Sequence, residues 1–223
     1  MISIIQVYGV MLLESMGNTL VLCVLSLLVA MVIGLIIALF NVGKNRILNL
    51  IGTIFVDAVR GVPLIVLAYF VYFGVPQAVK MMGITGFRLS ALSAGIVALS
   101  MNCGAYMAEI IRAGIESVDK GQMEASRSLG LSYGKSMRLV VIPQAIRTMI
   151  PSIINQFIIT LKDTSILSVI GFPELVNTGK NVAGNTFMNL QVWAIVGIMY
   201  MVVIVTLSKV AKRVERRLKR GQQ

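Results

Sequence analysis

The chain has 223 residues, of which 57% are hydrophobic and 13% charged, with a mean hydropathy of +0.87 and a formal net charge of +11. A soluble domain carries about a quarter charged residues, so lipid is the expected solvent, and the length suits one domain. Histidine is absent and the two cysteines, Cys23 and Cys103, lie far apart in apolar runs, which excludes a Cys/His metal cluster and a disulfide framework. The two thiols read as small buried apolar groups. The basic residues sit between apolar runs and at the C-terminus, a pattern of membrane topology and not of a nucleic-acid partner, whose binding needs a patch beside groove-reading elements.

In chain order, the N-terminus lacks a basic n-region and Glu14 precedes a long apolar run, so no cleavable signal is expected. A helix needs ~20 apolar residues to cross a hydrocarbon core of ~30 Å. Hydropathy then predicts five helical spans, at about 17–41, 54–76, 89–111, 148–170 and 188–208. The second is interrupted by Arg60, Gly61 and Pro63. The fourth is long enough only if it runs through Lys162 and Asp163. The expected fold is therefore an all-α polytopic membrane protein, 1–223 forming a single membrane domain.

The positive-inside rule orients it. One side carries Lys44, Arg46, Arg112, Lys120, Arg127, Lys135, Arg138, Arg147 and the basic residues from Lys209 to Arg220, whereas the other carries Lys80, Arg88 and Lys180. The N-terminus is expected outside and the C-terminus in the cytoplasm. The tail spaces Val210, Val214 and Leu218 four residues apart, so the last helix is expected to leave the membrane with its basic faces toward anionic lipid.

Most connections are short, but that from 115 to 146 is long, and such loops are usually functional or structured. Glu124-Ala125-Ser126-Arg127-Ser128-Leu129 precedes Gly130, a natural helix stop, and Ser132 or Tyr133 restarts a helix that should run to Pro143. A docking knob for a cytoplasmic partner and a solvated connector are both compatible with this pattern. The segment Gly171–Lys180, with Pro173 and Gly179, reads as an external loop.

Ionisable residues inside spans are costly in lipid and usually face a bundle interior or a water-filled path. Transporters place substrates at helix breaks, so Arg60-Gly61-Val62-Pro63-Leu64 is a candidate pathway segment. The alternative is that Arg60 pairs with Asp57 and snorkels to the interface. Lys162 either lines the path or pairs locally. Asp163, Thr164 and Ser165 cluster a carboxylate with two hydroxyls, which suits an ammonium group. Asn102 and Tyr106, one turn apart, line a cavity or bond across helices, and Glu109 and Arg112 are spaced to pair.

These segments resemble the membrane subunits of type-1 ABC transporters. Their cytoplasmic EAA motif has Glu-Ala-Ala, three residues, Gly, nine residues, then Ile, any residue, Leu-Pro. Here Glu124-Ala125-Ser126, Gly130, Val140, Ile142 and Pro143 keep that spacing, with Ser126, Val140 and Ile142 as substitutions of similar size. The resemblance implies that 124–143 forms coupling helices seated on a separate ATPase, with Gly130 allowing a sharp turn and Pro143 ending or redirecting the helix. Arg60–Leu64, Glu109–Gly114 and Leu161–Ser165 are similar to segments of the branch that imports polar amino acids such as His, Glu, Gln, Arg and cystine. The usual Thr of the first segment is Val62 here.

The resemblance implies an ATP-driven permease subunit in the bacterial cytoplasmic (inner) membrane, carrying a polar or charged L-amino acid by alternating access. Expected partners are the ATPase, a second permease copy or paralogue, an extracellular or periplasmic amino-acid-binding protein, and membrane lipid. No Walker A loop is present, so ATP and Mg fall to the partner ATPase; the chain itself is expected to be no enzyme and to hold no cofactor. The competing class is an ion-coupled secondary transporter of a small polar solute that uses Lys162 and Asp163 for coupling.

Overall fold

The computed structural model describes residues 2–43 and 45–220, with side chains described as far as Arg213. Lys44, and the side chains of Val214, Leu218 and the basic residues from Arg216 to Arg220, lie outside that description. Among the described residues the chain is helical: α1 (Ile2–Val42), α2 (Arg46–Gly61), α3 (Leu64–Met81), α4 (Ala91–Glu116), α5 (Lys120–Ser128), α6 (Tyr133–Ile170), α7 (Leu175–Thr186) and α8 (Asn189–Arg220). Helices α1, α3, α4, α6 and α8 are long and apolar enough to cross a membrane.

Helix α4 is the hub. Ala94, Ala98, Ala105 and Ala108 are buried along it, and its crossing with α1 depends on glycine. A Cβ on Gly34 would stand 2.5 Å from the Cβ of Met107, and one on Gly104 would stand 2.8 Å from Cγ2 of Ile33. Small residues at such crossings let helix backbones approach where lipid supplies no hydrophobic drive. The Ser100 hydroxyl adds an interhelical bond to the Ser26 carbonyl at 3.1 Å. The opposite face of α1 leaves Val21, Val24, Leu28, Val32 and Leu39 exposed, as a lipid-facing surface should.

A second apolar cluster joins Leu12 and Met16 of α1 to Leu175 and Val182 of α7 and Val192 and Val196 of α8. The segment Gly171–Lys180, expected as an external loop, is thus partly helix, with Leu175 fully buried.

The break expected in the second span is present, and it separates two helices. Val62, preceding proline, is extended at ψ 131 and ends α2, as the proline ring demands of its predecessor. Pro63 then opens α3, its carbonyl accepting from the Leu67 N–H at 3.1 Å. Proline is suited to a helix start, where its missing N–H costs nothing.

Pro143 behaves differently from the expectation. It does not end its helix: α6 runs on through Pro143 and Pro151 to Ile170. The reason is a wide π turn, Met137–Val141, in which the Ile142 N–H reaches back to the Met137 carbonyl. Phe70–Gly74 makes the same turn two residues ahead of Pro76. The extra residue in the turn relieves the clash between the proline ring and the carbonyl four residues earlier.

Candidate functional site

The sequence-derived residues fall into three places. The first is the knob α5. Asp119 caps it, accepting from the Gly121 N–H at 2.6 Å. At its other end the Leu131 N–H donates to the Ser126 carbonyl and the Gly130 N–H to that of Arg127. This Schellman closure needs a left-handed residue, and Gly130 supplies it at φ +86. Ser126 is buried and its hydroxyl donates to the Met123 carbonyl, while Glu124 and Ala125 are exposed. The knob packs on the first turns of α6, where the Gln144 amide donates to Oε1 of Gln122 at 3.3 Å. Leu129, at the tip, is 85% exposed, so α5 presents a charge and a bare apolar side chain away from the bundle.

The second place is a polar cavity of about 330 Å³ between α1, α2 and α4. Arg60 lines it and does not pair with Asp57. Among the described residues the guanidinium lies over the Tyr106 ring, 5.0 Å from its centroid, a cation–π contact. Glu109 faces the cavity and holds Arg112 in a bidentate pair, with 2.6 and 3.1 Å contacts, while Glu116 takes the other side of Arg112 at 2.6 Å. Asp57, Thr53, Asn49 and Asn41 also line the cavity. The sequence reasoning missed this grouping, although Asn49, Thr53, Asp57 and Arg60 form a polar stripe at helical spacing along α2. Gly61 and Pro63 are exposed beside it, and a Cβ on Gly61 would meet nothing within 4 Å.

The third place is the end of α6, where the α-helix tightens to a 3₁₀ turn over Thr164–Ile170. Thr164 and Ser165 each donate back to their own helix, to the carbonyls of Leu161 and Lys162, both at 2.7 Å. Such back-bonding satisfies the hydroxyl protons locally and leaves the oxygens as acceptors. Thr164 is fully buried, Asp163 half-buried and Lys162 exposed. The expected Asp–Thr–Ser cluster is therefore unevenly buried, Thr164 fully and Asp163 and Ser165 in part. Asn102 of α4 is buried. Among the described residues no hydrogen bond or ion pair joins the Arg60 group to Lys162–Ser165.

One buried acid escaped the sequence reading. Glu174 is fully buried, caps α7 by accepting from the N–H groups of Val176 and Asn177 at 2.8 and 2.6 Å, and accepts from the Tyr200 hydroxyl at 3.1 Å. Next to it the Leu175 N–H donates to Thr19 Oγ1 at 3.1 Å, and Lys180 donates to Ser168 at 2.8 Å. Burial pushes the Glu174 carboxyl above its ordinary range. The only signal available was that Glu174 is the sole acid between Asp163 and Glu215.

Comparison with known proteins fits this arrangement. Over 209 residues the chain is 36% identical to the glutamine transport system permease protein GlnP of Escherichia coli (strain K12), covering 94% of this chain and 93% of that one. It is also 36% identical, over 207 residues, to the arginine transport system permease protein ArtQ of Bacillus subtilis (strain 168), covering 93% and 92%. A crystal structure of an amino acid ABC transporter with histidines superposes with a TM-score of 0.89 at 36% identity, covering 97% of both chains. The MetNI methionine ABC transporter in an inward-facing conformation shares the fold, at a TM-score of 0.78 and 21% identity over 95% of this chain and 97% of that one. Residues 30–220 match the family described as the inner membrane component of binding-protein-dependent transport systems. A chain of five membrane-length helices with a projecting knob, matched over nearly its whole length, belongs to that family of inner-membrane transport components.

Proposed function

We propose that the chain is the permease subunit of an ATP-driven importer that carries a polar or charged L-amino acid into the cytoplasm by alternating access. The observation that carries this reading is α5: a capped, exposed helix wedged against the start of α6. From Tyr133 to Asp163 α6 is one helical rod of about 45 Å. A pull on Glu124 and Leu129 by a docked ATPase is transmitted along that rod to the Lys162–Ser165 turn. Ala125 and Ser126, being small, let the partner approach closely, and Gly130 holds the angle between knob and rod. The wide turn ahead of Pro143 gives the rod a point of flexure.

The choice of an amino acid as cargo is supported by the names of the relatives, which are glutamine and arginine permeases. It is supported also by chemistry that fits a zwitterion: Asp163 for the ammonium, Asn102 for a hydrogen bond, and Arg60 with the cavity beside Gly61 and Pro63 for the carboxylate's route. The chain works with an ATPase that binds ATP and Mg, a second permease copy or paralogue, and an external amino-acid-binding protein. Membership of a binding-protein-dependent family favours this over a gradient-coupled carrier.

The test is uptake of a panel of labelled amino acids into proteoliposomes holding the permease, its ATPase and its binding protein. Uptake that needs ATP and survives an uncoupler is expected. Asp163→Asn should lower it at least about tenfold, since an ion pair made in a low-dielectric site is worth more than ~1.4 kcal/mol, with ATPase association unchanged. Uptake that persists without ATP, or that collapses with the ion gradient, overturns the reading.

A further inference from the structure

A crevice where α1, α6 and α8 meet has a chemistry the transport cycle leaves unused. Its apolar part, about 310 Å³, is lined by Leu20 and Val24 of α1, Phe157 and Leu161 of α6, and Leu207 and Val210 of α8. Through Ile154, Ile158 and Ala211, which line both parts, it continues into a polar end of about 180 Å³ where Asn155, Ser208 and Lys212 stand.

The dimensions and charge point to one kind of occupant. Pro151 marks the polar end and Leu161 the apolar end; ten residues of helix are ~15 Å, half of a ~30 Å hydrocarbon core. The crevice is therefore one leaflet deep. None of Arg60, Asn102 or residues 162–165 lines it, and Asp163 lies ~200° around α6 from Leu161. Its polar mouth sits where the basic tail begins, with Lys209 and Arg213 exposed beside Lys212. A second copy of the chain seated there would bring a matching set of cations against these, whereas an anionic headgroup complements them.

We propose that this crevice binds an anionic phospholipid of the leaflet facing the basic tail. Its acyl chain lies along Phe157, Leu161 and Leu207, and its phosphate is held by Lys212, Asn155 and Ser208. The site requires a membrane-spanning fold but neither the amino-acid cargo nor the coupling role of α5.

Native mass spectrometry of the purified permease–ATPase complex, delipidated and then offered equimolar phosphatidylglycerol and phosphatidylcholine, tests it without ATP or substrate. The complex should retain phosphatidylglycerol over phosphatidylcholine by about fivefold, the preference one lysine near an anionic headgroup confers. Lys212→Gln, at an exposed position, should lower that ratio. Ala211→Phe, which fills the crevice from a partly exposed position, should remove the bound lipid. Equal retention of the two lipids by the wild type, an unchanged ratio in Lys212→Gln, or unchanged lipid in Ala211→Phe overturns the proposal. So does a Val24→Cys cross-link between two copies in native membranes, which would put protein in the crevice. Any of these failures leaves ATP-driven uptake untouched, so the two readings fail separately.

Discussion

Glu174 is the residue whose behaviour follows most directly from its surroundings. It is fully buried, yet accepts three hydrogen bonds, two from the first turn of α7 and one from Tyr200 of α8. Burial is the larger influence and holds its carboxyl above the ordinary value of 4.5, against the opposing bonds and Lys180. A group whose pKa is raised on folding binds its proton more tightly in the folded state. Its contribution to stability is therefore full below 4.5 and is lost as pH climbs through the raised folded value. Replacing it with Gln removes the titration while keeping the size. The melting temperature of the wild type, measured against Glu174→Gln in the same detergent, should thus be relatively highest at acid pH and decline as pH rises. A difference that stays flat with pH would refute this. Glu174→Ala, which strips the cap and leaves buried donors unpaired, should cost about 1–3 kcal/mol at any pH. The burial of Glu174 was not legible in the chain, because Tyr200, which bonds it, and Thr19, which bonds its neighbour Leu175, lie far away in sequence.

At the scale of elements, local composition told most of the story. The spans at 17–41 and 188–208 were legible because uncharged length alone meets the demand of a bilayer, and helices of that kind are present at both places. Gly130 after a Glu-Ala-Ser run read as a stop, and it closes α5 in a left-handed turn. What did not hold was the end of a helix expected at Pro143. Pro63 and Pro143 look alike in a sequence, but Pro63 starts a helix and Pro143 rides inside one, and the difference lies in the π turn preceding Pro143. Pairing across helices was equally hidden: the polar stripe of α2 becomes a cavity only because Glu109 and Arg112 of α4 face it. The α1–α4 crossing offers the sharpest test of packing at this scale. The space at Gly34 is closed by the Met107 Cβ and by the Gly104 carbonyl at 3.2 Å, and backbone yields less readily than a side-chain tip. Gly34→Leu should destabilise the protein by about 1–3 kcal/mol through overpacking, read as a lower melting temperature, while Gly17→Leu, where nothing lies within 4 Å, should be near neutral. Equal effects at the two sites would mean that α1 and α4 do not pack as described.

For the whole molecule the decisive matter is which end of the bundle faces the cytoplasm. The distribution of Lys and Arg predicts that α5 lies on the side of the basic tail, and that Lys80, in the last turn of α3, and Arg88, in the α3–α4 connection, lie on the other. An odd number of spans is consistent with that, since it separates the two termini. The two native cysteines are buried, so a single introduced cysteine gives a clean signal. Met82, 79% exposed in the α3–α4 connection, and Leu129, 85% exposed at the tip of α5, stand at opposite ends. In intact spheroplasts a membrane-impermeant maleimide should label Met82→Cys and spare Leu129→Cys; in inside-out vesicles the pattern should reverse. Leu129→Cys should then be protected again when the ATPase is present, because the partner that pulls on Glu124 must cover the same tip. Labelling of Leu129→Cys from outside would place the lever in the wrong compartment and leave the motor nothing to grip. Labelling from inside that the ATPase does not suppress would keep the topology but move the docking surface elsewhere on 115–146.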